Sequence, residues 1–162
     1  MFRNVMRLVA VGLVAVAASG SSVAAASGGL AHSSRHGAER MVLMGTSAKS
    51  GLLSVIATGV FTDGGTFNIG ALRLGGGELR LSSSGSPPTI RFSKATCLQR
   101  LVAHGTYSFG HGTGKYRATT GSGKFTTIVR EVFAHKATGS CRLVRPLAFQ
   151  MIVTLIGSAT QR

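Results

Sequence analysis

Carboxylates are scarce in this chain, with Glu39, Asp63, Glu78 and Glu131 standing against 18 Lys and Arg. One of them sits in a pattern that suggests chemistry. Across Phe125–Phe133, Glu131 shares two-residue parity with Phe125, Thr127, Val129 and Phe133. If that face of a strand points inward, Glu131 enters an apolar interior, where desolvation would raise its pKa and fit it for general acid or base work. Glu131, Phe125 and Phe133 are therefore the candidate ligand-binding residues, and Glu131 is the single catalytic candidate. The opposite parity (Ile128, Val132, Ala134) would leave Glu131 in solvent, facing a basic residue on the next strand. An inward Glu131 paired with Arg for structural reasons outranks a catalyst, because buried ion pairs also occur without function.

Other reactive types give less. Glu39 falls in an aperiodic lead, Asp63 in a turn, and Glu78 on an outward strand face. His104 and His135 close strands, and His111 sits among glycines. His32 and His36 have the i, i+4 spacing of helical metal ligands, but the glycines around them disfavour a helix. Cys97 and Cys141 are the only cysteines; an even count in an exported chain predicts a disulfide. A Cys/His metal site drawing on His104 or His135 is the alternative, and it lacks the close Cys pair that zinc sites usually show. No metal or cofactor is expected. Thr120-Gly-Ser-Gly-Lys124 lacks the Gly-Lys-Ser/Thr of a phosphate loop and leads into a strand.

The elements that would position these residues read as β throughout. Gly 23 with abundant Val, Ile, Thr and Phe suits short strands and tight turns. Strands are expected over Met41–Thr46, Leu52–Phe61, Thr66–Leu74, Glu78–Ser82, Thr89–Phe92, Cys97–Phe109, Phe125–Ala134 and Ala148–Ser158. Thr62-Asp-Gly-Gly65 signals a hairpin, and the parity slip near Gly70-Ala71 a β-bulge. Ser82–Pro88 reads as a loop. Between Gly105 and Phe125 glycine recurs among hydroxyl, basic and aromatic residues, which predicts a strand, a tight crossing, a short helical turn or loop at Lys115–Ala118, and another strand. An eight-stranded antiparallel sheet tends to curl, and closing it removes both edges, so a β-barrel is expected, with a two-sheet sandwich as alternative.

The start of the chain reads differently. Arg3 and Arg7 precede an apolar run at Leu8–Ala18, and Ala24-Ala-Ala26 offers a cleavage site before Ser27. This order predicts a signal peptide over 1–26, then a flexible lead over 27–40 and a barrel domain over 41–160. The run is shorter than the ~20 residues of a bilayer span. Export outside the cytosol follows. The formal charge of +14 is spread along the chain without a basic block or helix, which disfavours a specific nucleic-acid site. A weak, salt-sensitive attraction to anionic polymers or lipid head groups is the expectation it leaves.

The glycine stretch also carries a resemblance. Phe109-Gly-His-Gly-Thr-Gly-Lys-Tyr-Arg-Ala-Thr-Thr-Gly-Ser-Gly-Lys-Phe125 resembles the GGTGxYxGATGSGxF signature of allene-oxide-cyclase and dirigent-like barrels. Together with Gly59-Val-Phe-Thr-Asp-Gly-Gly-Thr66, Lys94-Ala-Thr-Cys97 and Ala148-Phe-Gln150, it is more similar still to a group of small secreted actinobacterial proteins. The resemblance implies an eight-stranded antiparallel barrel with a central cavity. It does not carry catalysis over, since the cyclases use a carboxylate and ordered water inside the barrel and dirigent members use paired acids. The resulting expectation is an exported, disulfide-pinned barrel that holds an apolar small molecule or adheres to an anionic surface. A cyclase or isomerase acting on a reactive apolar substrate is the alternative.

Overall fold

A computed structural model of the chain describes residues 34–162. The predicted signal peptide and the lead as far as residue 33, His32 included, lie outside the described residues. Within them the chain is all-β, with strands β1 (Arg35–Gly45), β2 (Leu53–Gly59), β3 (Asp63–Asn68), β4 (Ala71–Leu74), β5 (Gly77–Gly85), β6 (Thr89–Ser93), β7 (Leu98–Gly110), β8 (Thr120–His135) and β9 (Cys141–Gln161). Every pairing is antiparallel. β1 through β5 pair in sequence, β5 pairs β7, and β7–β8–β9 returns to β1, closing an eight-stranded barrel with β6 outside it.

Alternation builds this wall. In β1 the buried positions are Glu39, Met41, Leu43 and Gly45, and in β2 they are Leu53, Val55 and Ala57. The apolar ones among them (Met41, Leu43, Leu53, Val55 and Ala57) meet Leu72, Leu74, Leu79, Tyr107, Phe109 and Leu155 in one core inside the barrel. An eight-stranded interior is narrow enough for side chains to fill, so burial of the inner face is what fixes the strand register.

The long strands outrun the closed barrel. β1 ends with Gly45 opposite Met151, while β8 and β9 stay paired as far as His135 and Cys141. β6 pairs only the first half of β7 (Thr89↔Val102 to Ser93↔Leu98), and β5 pairs the second half (Arg80↔Gly110 to Gly85↔Gly105). β6 and the adjoining ends of β7, β8 and β9 thus form a four-stranded apron below one rim.

Several sequence expectations shift. β1 begins at Arg35, so Arg35–Arg40 belong to the barrel and not to a flexible lead. The parity slip at Gly70 is a hairpin, not a bulge: Asn68 pairs with Ala71, and Ile69 and Gly70 both take positive φ (45° and 78°). β5 continues through the serines to Gly85, held by pairing with β7. The Cys97–Cys141 disulfide is formed, with Cα atoms 5.5 Å apart.

Candidate functional site

The barrel end away from the apron holds an arrangement that the sequence reading did not find. Glu39 lies on the inner wall with 1% exposure. Across the sheet its row continues through Gly157 on β9 and Gly123 on β8 to Tyr107 on β7. Two glycines therefore form a bare floor between a carboxylate and a phenol. Neither could carry a side chain: a Cβ at Gly157 would strike the Ser122 carbonyl, and one at Gly123 the Ile156 carbonyl. Glycine at both positions is what lets the two backbones approach this closely.

The polar atoms above this floor are only partly satisfied. Glu39 Oε2 accepts the Phe61 N–H at 3.3 Å, whereas Oε1 and the Tyr107 hydroxyl are buried without a partner among the described residues. The Thr119 hydroxyl is orphaned in the same way. Burial outweighs the backbone N–H groups of Phe61 and Val60 and pushes the Glu39 carboxyl up to about 7. Tyr107 is raised too, by desolvation first and then by the Glu39 charge. Buried polar atoms are nearly always paired, so orphans facing an apolar interior mark a place where a partner belongs.

Aromatic rings close this end. Phe61 packs edge-on against Tyr116 (centroids 5.1 Å apart) and Phe109 (6.2 Å), and Phe109 stacks on Tyr107 (6.0 Å). Tyr116, 0% exposed, comes from the glycine stretch, whose 3-10 turn spans Gly114–Tyr116. Asp63 latches this lid. It accepts from the Tyr116 hydroxyl, from Lys115 Nζ at 2.8 Å and from its neighbour's N–H (Gly64) at 2.8 Å. Those donors, Lys115 first, hold the Asp63 carboxyl well below the usual carboxylate range, and Tyr116 is pushed up to about 12, chiefly by desolvation. Thr113 N–H donates to Glu78 O at 2.8 Å and Lys115 N–H to Gly76 O at 2.9 Å, zipping the lid to the β4–β5 turn. Gly77, at φ 147°, would drive a Cβ into the Thr113 carbonyl, which is why glycines face each other across this seam.

The predicted site residues lie elsewhere. Glu131 does have inward parity, opposite Gln99 and Phe149, but it sits one step past the rim, on the apron. It is half-buried, desolvation raises its pKa, and it makes no ion pair among the described residues. Phe125 packs half-buried against the core, and Phe133 is buried near the disulfide loop, its N–H donating to Cys97 O at 2.9 Å. The structure does not gather these three around one cavity.

Asp63, expected in a turn, and Glu78, expected outward, prove structural; Glu78 lies 3.2 Å from Arg80 and 3.6 Å from Arg73. His36 bonds the Thr160 hydroxyl at 2.8 Å and His104 the Thr126 hydroxyl at 3.1 Å. Ligand atoms of Cys97, Cys141 and His135 lie within 4.8 Å of one another, but the S–S bond removes the thiolates a metal would require. A groove of about 590 Å³ is lined by the exposed Ser82, Ser84, Thr106, Ser108, Ser122 and Lys124, with Ser83, Tyr107 and Gly123 also bordering it.

Glu39 could have been found by extending the Met41, Leu43, Gly45 parity backwards by one step. No family model matches the chain, and neither a curated protein nor a solved structure matches it.

Proposed function

We propose that the chain is an exported binding barrel that holds an apolar small molecule carrying one hydrogen-bonding group, received by Glu39 and Tyr107 beneath the aromatic lid. The observation that carries this reading is the pair of orphaned atoms, Glu39 Oε1 and the Tyr107 hydroxyl, in an otherwise apolar interior. Few, well-placed polar groups in an apolar enclosure are how small-molecule sites fix orientation. Export is supported by the leader-like N-terminus and is compatible with the disulfide. The test is native mass spectrometry of protein purified from its own host. A retained small molecule, lost when Glu39→Gln and Tyr107→Phe are combined, is the expected result. Empty protein that also shows no thermal shift with apolar alcohols, amines or acids would remove the reading.

A second reading keeps the cyclase or isomerase alternative, with Glu39 in place of Glu131. It is supported by a carboxyl that burial pushes up to about 7, which can both give and take a proton near neutrality. Glu39→Gln would then abolish turnover of a reactive apolar substrate while leaving its binding intact.

A further inference from the structure

The outer wall of the apron carries an arrangement that the barrel interior does not explain. Arg91 on β6, Arg100 on β7 and Arg130 on β8 are direct cross-strand partners, so three guanidinium groups stand side by side in one row. Like charges directly opposite each other destabilise a sheet. Nothing offsets them here. Of the four carboxylates, Glu39 is inside the barrel, Asp63 and Glu78 are paired to other cations, and Glu131 is on the opposite face of the apron. Among the described residues, the row's one polar side-chain bond runs from Arg130 to Gln150 Oε1 at 3.0 Å.

Apolar rows flank the arginines on this face. Leu98, Val132 and Ala148 align on one side, and Val102, Ile128 and Ile152 on the other, running on to Met44 of β1. Val132 is 37% exposed and Met44 45%. At the end of the same sheet β9 leaves register: Pro146 faces Phe133 and Arg142 faces Ala134, so Leu143–Arg145 form an unpaired excursion. Val144 within it is 75% exposed and Leu147, just past Pro146, 73%, beside the exposed Arg142 and Arg145.

From this juxtaposition we propose that the apron's outer face docks on a membrane bearing anionic phospholipid. The arginine row takes the phosphates, and the apolar side chains at the excursion enter the head-group layer. A second copy laid on the same face would oppose arginine to arginine. A soluble polyanion would have no use for the apolar flanks. Paired cationic and apolar surfaces are what interfacial binding draws on.

The test is co-sedimentation of the full, disulfide-bonded protein with phosphatidylcholine vesicles, with and without phosphatidylglycerol, and competition by polyphosphate. Binding that requires phosphatidylglycerol is expected. Combined Arg91→Gln, Arg100→Gln and Arg130→Gln should weaken it roughly a hundredfold, at about a factor of five per cation. Arg91→Gln alone, on the edge strand, should cost about fivefold and guards against misfolding of the triple variant. Lys49→Gln, Arg117→Gln and Lys124→Gln together remove the same charge elsewhere and should cost much less. Val144→Ser with Leu147→Ser should weaken vesicle binding and leave polyphosphate binding unchanged. The proposal is overturned if the Lys49 set loses as much affinity as the row, if the row variants bind like the original, or if the serine variants bind vesicles unchanged.

Discussion

Glu39 and Tyr107 stand on the same row of the inner wall with only Gly157 and Gly123 between them. Each brings a polar atom into the barrel that no described residue satisfies. Such atoms cost stability, since a buried donor or acceptor without a partner forfeits its hydration, about 1–3 kcal/mol each. Their position under a latched lid gives the barrel one polar spot in an apolar interior.

Glu39 sets an unusual pH dependence. Its folded-state pKa of about 7 exceeds the ordinary Glu value of 4.5. The folded protein therefore keeps a proton that the unfolded chain releases, and stability falls as pH rises from about 4.5 to about 7. The size is on the order of 3 kcal/mol, at about 1.4 kcal/mol per unit. Half-buried Glu131, also raised, acts in the same sense. Urea midpoints measured across this window should decline in the original protein, and the decline should shrink sharply in Glu39→Gln, leaving that variant the more stable at pH 8.

Tyr107→Phe removes the orphaned hydroxyl and keeps the ring stacked on Phe109. Stability should be unchanged or higher by about 1 kcal/mol, because a desolvated group is deleted with no bond lost. Retention of a bound molecule should fall. Chemical denaturation and native mass spectrometry on the same sample separate the two effects.

Asp63→Ala should release the lid. It deletes the acceptor of both Tyr116 and Lys115, and charge-assisted bonds of this kind contribute about 1.5–3 kcal/mol. Amide exchange should accelerate through Gly112–Thr119 well before the strands respond. The original protein should lose this contribution only in acid, as pH drops below the ordinary Asp value of 3.8, because the folded-state pKa is depressed.

Reducing the disulfide, or replacing both cysteines with alanine, frees a connection spanning 44 residues. The chain-entropy model puts the loss at about 4 kcal/mol. The bond ties the loop before β7 to the start of β9, so the apron should open first. Fluorescence from an apolar dye should rise on reduction before the far-ultraviolet β signal falls.

The two-residue alternation, the glycine punctuation and the cysteine count were enough to read antiparallel strands, a closed barrel and the disulfide from the amino-acid order. Those features are local or nearly so: pleat parity depends on neighbours, turn φ on glycine, and two cysteines in one chain have only each other to pair with. The site was not legible in the same way. Phe125–Phe133 gave Glu131 the right parity, but parity says only which face of the sheet a side chain is on. Whether that face is enclosed depends on where β1 stops along β9, a fact of pairing across more than a hundred residues. The same pairing drew Arg35–Arg40 into the wall and buried Glu39. Pairing of β8 with β9 placed Gly123 and Gly157 side by side, and pairing of β6, β7 and β8 lined up Arg91, Arg100 and Arg130. Burial and juxtaposition belong to the closed sheet, because only closure decides which parts of its inner face lose water.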